Sequence, residues 1–109
     1  MNPEVKKMWI DALESGEYKQ GQGQLRTAAS NKFCCLGVLS DLAYKAGVID
    51  EPELIDGDSF SGWRYDETAC GLPPVVGEWA GLYRAGKFIV MNDTGKSFKT
   101  IANYIKENL

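Results

Sequence analysis

Three stretches of this sequence carry residue types able to do chemistry. Cys34 and Cys35 stand where a run of apolar residues at helical spacing begins. A helix N-terminus lowers a thiol's pKa, and thiol enzymes place their nucleophile at such points, so either cysteine is a candidate nucleophile. Trp63-Arg64-Tyr65 sets an arginine between two aromatic residues. That combination holds a phosphate in the planar guanidinium fork and stacks a base on a ring. Asn92-Asp93-Thr94-Gly95 has the residue types of a tight turn, and Ser97 beyond it caps a helix. The backbone amides from Asn92 to Ser97 are thereby offered to an anion. The remaining guanidiniums are Arg26 and Arg84. The candidate ligand-binding set is Trp63, Arg64, Tyr65, Asn92, Asp93 and Ser97, with Cys34 and Cys35 as the catalytic alternative.

Composition narrows the choice. The chain has no histidine, which removes the usual general base, the Cys–His and Ser–His pairs and most zinc sites together. It has three cysteines, two of them adjacent and none in a C-x-x-C pair. They make neither a disulfide framework nor a metal site and suit a reducing compartment. A formal net charge of −3 disfavours nucleic acid as a partner, because Lys and Arg supply that affinity. No apolar run approaches the roughly 18 residues of a membrane span, and MNPEVKK lacks the apolar centre of a signal peptide. The expected location is the cytoplasm. Neither phosphate-loop spacing nor a calcium-loop spacing is present, and the acids crowd into one loop instead of facing each other across a cleft. No cofactor and no metal are expected.

The elements that position these residues follow from periodicity. Lys32–Gly47 is the central buried helix: Cys35, Val38, Leu39, Leu42 and Ala46 recur at i, i+3, i+4 and i+7, with Leu36 and Ala43 widening the stripe. Cys34, Gly37, Asp41 and Lys45 form the face left to water, and Gly47 ends the helix. Asn2 and Pro3 start an earlier helix, with Val5, Met8, Trp9, Ala12 and Leu13 on one side until Ser15-Gly16. Gln20, Gln22 and Gln24 alternate with Gly21 and Gly23, as in an amide-lined edge or, the favoured reading, a connector. Val48–Gly62 reads as an acidic surface loop. Trp63–Tyr65 suits a short strand with both aromatics on the buried face. Pro74 starts a short helix over 75–82, and Lys87–Met91 is the best strand by residue type. Ser97 caps a last helix carrying Phe98, Ile101, Ala102, Ile105 and Leu109. Four helices with one to three short strands predict one compact α+β domain over residues 1–109, dominated by helix.

Several of these pieces form a pattern: Trp9 with Ala12-Leu13 and Ser15-Gly16; Tyr18, Gln20, Gly23 and Leu25; Cys34-Cys35-Leu36-Gly37-Val38-Leu39; Leu72-Pro73; Trp79-Ala80-Gly81-Leu82; and Asn92-Asp93-x-Gly95-x-Ser97-Phe98 with Ile101-Ala102. In this pattern the chain resembles a group of short, mostly uncharacterised proteins of bacteriophages and prophages, nearly end to end. The resemblance implies a phage origin and action in the host cytoplasm. Together with the missing catalytic set, it leads to the expectation of a small non-catalytic binding protein acting on host machinery or host defence. Such a protein would sequester a small anionic, nucleotide-like ligand or occupy a host protein, without nucleic acid or membrane as partner; a homodimer stays open. The alternative is a thiol-dependent enzyme using Cys34 or Cys35. A structural virion component finds no repeat, coiled coil or long edge strand to support it.

Overall fold

A computed structural model describes residues 1–109. Five helices and two strands follow in the order α1 (Pro3–Glu14), α2 (Cys35–Lys45), β1 (Glu53–Asp56), β2 (Ser61–Arg64), α3 (Pro74–Ala80), α4 (Gly86–Asp93) and α5 (Phe98–Asn108). The architecture is α+β and helix-dominated.

The capped helices form as their ends dictate. The Asn2 side chain accepts from the N–H groups of Glu4 and Val5, and Pro3 lies in the first turn of α1, where its missing N–H costs nothing. The Ser97 hydroxyl accepts from the Thr100 N–H at the start of α5. These two helices pack on each other and are clasped by Lys106 and Glu14 at 2.9 Å. On α1 the buried set is Val5, Trp9, Ile10 and Leu13, while Met8 keeps 38% of its surface exposed. On α5, Phe98, Ile101, Ala102 and Ile105 are buried and Leu109 is not.

α2 is the central helix: it touches α1, α3 and α4, and Cys35, Leu36, Val38, Leu39 and Ala43 have no exposed surface. Its expected wet face requires correction. Gly37 and Asp41 are buried, whereas Leu42 is half-buried and Ala46 is exposed. At Gly37 the backbone of Leu25 lies against the helix, and a Cβ there would collide with the Leu25 carbonyl oxygen. Asp41 is drawn inward by two tyrosines described below.

Three expectations about local structure fail. Lys87–Met91 is not a strand but most of α4. Phe88 and Asn92, one helical turn apart, are both buried, and Phe88 packs between Trp9 and Tyr104 with ring centroids 5.1 and 5.8 Å away. That two-point anchorage outweighs the β preference of Ile89 and Val90. Asn92 and Asp93 therefore form the last turn of α4 instead of a free-standing turn, and Gly95 follows with φ +95°. Second, the glutamine–glycine stretch is no loose connector. Gly21 N–H donates to the Phe33 carbonyl, Phe33 N–H to that of Lys19 and Leu25 N–H to that of Ala69, each at 2.8 Å. Third, the acidic loop holds strand β1, which pairs antiparallel with β2, the strand expected at Trp63-Arg64, with Leu54 opposite Trp63 and Asp56 opposite Ser61. Trp63 N–H leaves the hairpin to donate to the Arg26 carbonyl at 3.1 Å, so the 24–26 segment runs along the far side of β2. No helix is long and apolar enough to cross a membrane.

Candidate functional site

The thiols come first, because the catalytic alternative rests on them. Cys34 is the N-cap of α2, and its sulfur accepts from the Gly37 N–H at 3.3 Å. Burial nevertheless pushes this thiol up from the ordinary 9.0 to about 11, against the pull of the helix amides. Cys35 has no exposed surface, and its thiol donates to the Phe88 carbonyl at 3.5 Å. Burial pushes it up further still. Desolvation thus outweighs the helix terminus. Both sulfurs are buried and held protonated near neutral pH. Cys70 alone is exposed. No group of three His, Cys, Asp or Glu side chains comes together to hold a metal.

The Trp63-Arg64-Tyr65 constellation does not assemble as the ligand site that was expected. Strand alternation puts Trp63 and Tyr65 on one face and Arg64 on the other. Tyr65 is fully buried. Its hydroxyl donates to Asp41 Oδ1 at 2.9 Å and accepts from Arg26 Nη1 at 3.3 Å. The Tyr18 hydroxyl donates to Asp41 Oδ2 at 2.7 Å and accepts from Lys45 Nζ at 2.9 Å. The arginine stacked on Trp63 is Arg26, its guanidinium carbon 4.1 Å from the ring centroid. Arg64 instead pairs with Glu53 across the hairpin at 2.7 Å. Tyr65 is thus consumed inside the fold and Trp63 is stacked by Arg26, while Arg64 is turned to the other face, its Nε buried without a hydrogen-bond partner.

The amides around Asn92, Asp93 and Ser97 are likewise consumed internally. Asn92 is fully buried. Its Oδ1 accepts from Gln20 Nε2 at 3.0 Å and from the Cys35 N–H at 3.2 Å, and its Nδ2 donates to the Gly21 carbonyl at 2.8 Å. Asp93 accepts from the Gly23 N–H at 3.2 Å. Gln20 Nε2 also reaches the Lys96 carbonyl at 2.7 Å, while its Oε1 takes the Phe98 N–H at 3.2 Å. The position an anion would occupy at the start of α5 is filled by the carboxamide of Gln20. The sequence signal was the alternation of glutamine with glycine, which lets this backbone approach α4 closely.

A groove of about 500 Å³ does border Ser97, beside Lys19, Gln20 and Lys99, and another opens at the loop between α3 and α4. Tyr83 stands 81% exposed there. Between this loop and the end of α5 lies a groove of about 630 Å³ walled by Tyr83, Tyr104, Leu82, Phe88, Arg84 and Lys87. Lys87 Nζ sits over the Tyr104 ring, 4.6 Å from its centroid. Neither Arg84 nor Lys87 has a carboxylate within 4.0 Å, and no Asp or Glu side chain lines the groove, whose wall also includes Met1 and Leu109. The first turn of α4, beginning at Gly86, has no side-chain cap, so its outward N–H groups add to the positive field. A second groove of about 600 Å³ runs along the other side of Tyr83, beside Leu72, Pro73, Glu78 and Ile89. Arg84 was one of the three guanidiniums considered from sequence. Tyr83 was missed, and its one signal was an aromatic residue lying outside the stripe of either flanking helix.

The chain belongs to the family described as a domain of unknown function, DUF8296, whose match extends over residues 1–89. No curated protein and no solved structure matches it.

Proposed function

We propose that this member of the DUF8296 family is a non-catalytic binding protein of phage origin that captures a small anionic, nucleotide-like ligand in the groove beside Tyr83. One observation carries this reading: two cations without carboxylate partners, Arg84 and Lys87, flank a groove walled by two tyrosine rings. The guanidinium of Arg84 offers two parallel N–H groups to a phosphate. Lys87, already held over Tyr104, supplies a second charge nearby. A base stacked on the exposed ring of Tyr83 gains about 1–3 kcal/mol whatever its identity. Leu82 and Phe88 form the apolar floor. Capture needs no proton transfer and no nucleophile, which accords with thiols held neutral by burial.

The test is to release whatever the protein carries from cells by heat denaturation and to identify it by mass spectrometry. A nucleotide-like compound is expected from the native sequence and none from Arg84→Ala. A protein that is active in cells yet yields an empty fraction alongside a co-purifying polypeptide would overturn small-ligand capture in favour of occupation of a host protein.

A further inference from the structure

The hairpin presents a second surface, of opposite charge and independent of the Tyr83 groove. We infer that the outer edge of β1 docks a basic, extended segment of a partner polypeptide, which adds to the hairpin as a new strand. The direction of the backbone groups follows from one bond. Trp63 N–H points out of the hairpin toward Arg26, and in an antiparallel pair both backbone groups of a residue point the same way. Trp63 and its partner Leu54 are therefore a non-hydrogen-bonded pair, and so are Asp56 and Ser61 two positions along. The N–H and C=O of Leu54 and Asp56 consequently face out of β1. They carry no hydrogen bond: β1 has β2 as its single neighbouring strand, and neither residue makes a backbone bond outside the hairpin.

Exposed edges are commonly blunted by shortness, charge, proline or a bulge; β1 has no lysine, proline or bulge, and its four residues are guarded by the carboxylates of Glu53 and Asp56 alone. The charge is of one sign. Residues 50–58 hold Asp50, Glu51, Glu53, Asp56 and Asp58 with no Lys or Arg, and of these five only Glu53 is ion-paired. Leu54 stands 50% exposed among them. A second copy of the same edge would bring carboxylate against carboxylate, so the edge rejects its own kind. A basic strand matches it on both counts, as main-chain bonds supply the grip and alternate cationic side chains the selectivity.

The probe is the hexapeptide acetyl-(Lys-Val)3-amide, titrated into the full chain and followed by NMR. At saturation the Leu54 and Asp56 amide protons should exchange at least tenfold more slowly with solvent, and the affinity should fall as salt is added. Glu51→Gln combined with Asp56→Asn, both at exposed positions, should weaken binding several-fold with the remaining spectrum unchanged. Three results would overturn the inference. Protection absent at those two amides excludes strand addition. Equal binding of acetyl-(Glu-Val)3-amide excludes charge selection. Undiminished binding of a Lys-Val peptide N-methylated at alternate residues reduces the contact to charge attraction alone.

Discussion

Gln20 and Asn92 lie side by side, Gln20 Nε2 donating to Asn92 Oδ1 at 3.0 Å across 72 positions of the chain. Because the same Oδ1 also takes the first N–H of α2, and Nδ2 holds the Gly21 carbonyl, one buried amide ties the glutamine–glycine segment, α2 and α4 together.

Asn92→Ala should therefore be costly. It strands the Cys35 N–H and the Gly21 carbonyl away from water, and a buried polar group left unpaired costs about 1–3 kcal/mol. The expected loss is about 2–5 kcal/mol, read from the urea midpoint. Asn103→Ala, on the exposed side of α5, should stay within about 0.5 kcal/mol. Equal midpoints for the two variants would show that the amide network does not hold the fold.

Asp41 and Lys45 form the ion pair expected from their i, i+4 spacing, at 3.3 Å, but the two partners differ in burial: the Lys45 side chain is 59% exposed and that of Asp41 8%. Removing the lysine should cost less than about 1 kcal/mol, as for surface pairs. Removing the carboxylate leaves the Tyr18 and Tyr65 hydroxyls without their acceptor, and breaking a buried charged network in this way costs about 3–5 kcal/mol. Chemical denaturation of Asp41→Ala and Lys45→Ala measures the difference.

Stability should decline in alkali. Burial lifts Cys34 from 9.0 to about 11, and burial followed by the Asp41 carboxylate lifts Tyr18 and Tyr65 above their ordinary 10.0. A group whose folded pKa is raised binds its proton more tightly in the native state. Its contribution is complete below the unfolded value and is lost as pH climbs through the folded one. Thermal midpoints should be flat up to about pH 8 and fall from pH 9 through 11. Cys34→Ser should fold, since a serine hydroxyl serves as N-cap, and should show a shallower fall.

Tyr83→Ala and Arg84→Ala should leave the thermal midpoint within about 2 °C, because both side chains are exposed and surface truncations cost little. Both should lose the heat-released ligand. A Tyr83→Ala protein that retains it would remove the ring from the site while leaving the cations in place.

What was legible in the sequence is what local chemistry decides. Asn2-Pro3 and Ser97 cap helices wherever they stand, and the stripe of α2 is too apolar to lie on a surface. What could not be read depends on distant partners. Ile89 and Val90 have strand-forming side chains, yet Phe88 meets Trp9 and Asn92 meets Gln20, and those contacts impose a helix. Strand β1 escaped notice because a four-residue strand such as Glu53–Asp56 carries no clear alternation of apolar and polar residues. For the candidate site, Arg64 looked placed between two rings because it is adjacent to them in sequence, whereas a strand sends neighbours to opposite faces and Arg26 arrives over Trp63 instead. The exposure of Tyr83 is set by where α3 stops and α4 begins, at Gly81 and Gly86, and that depends on how both helices pack.

The packing of α1 on α5 also puts the fold on a clock during synthesis. Val5, Trp9 and Leu13 of α1 leave the ribosome first; α2 and Phe88 give Trp9 part of its cover, but Phe98, Ile101 and Ile105 of α5 are made only from 84 residues after Glu14 onward. At about 5–20 residues per second that wait is on the order of ten seconds. Through it the nascent chain carries an α1 stripe covered on one side only, a handle for chaperones and, if translation stalls before α5, for aggregation.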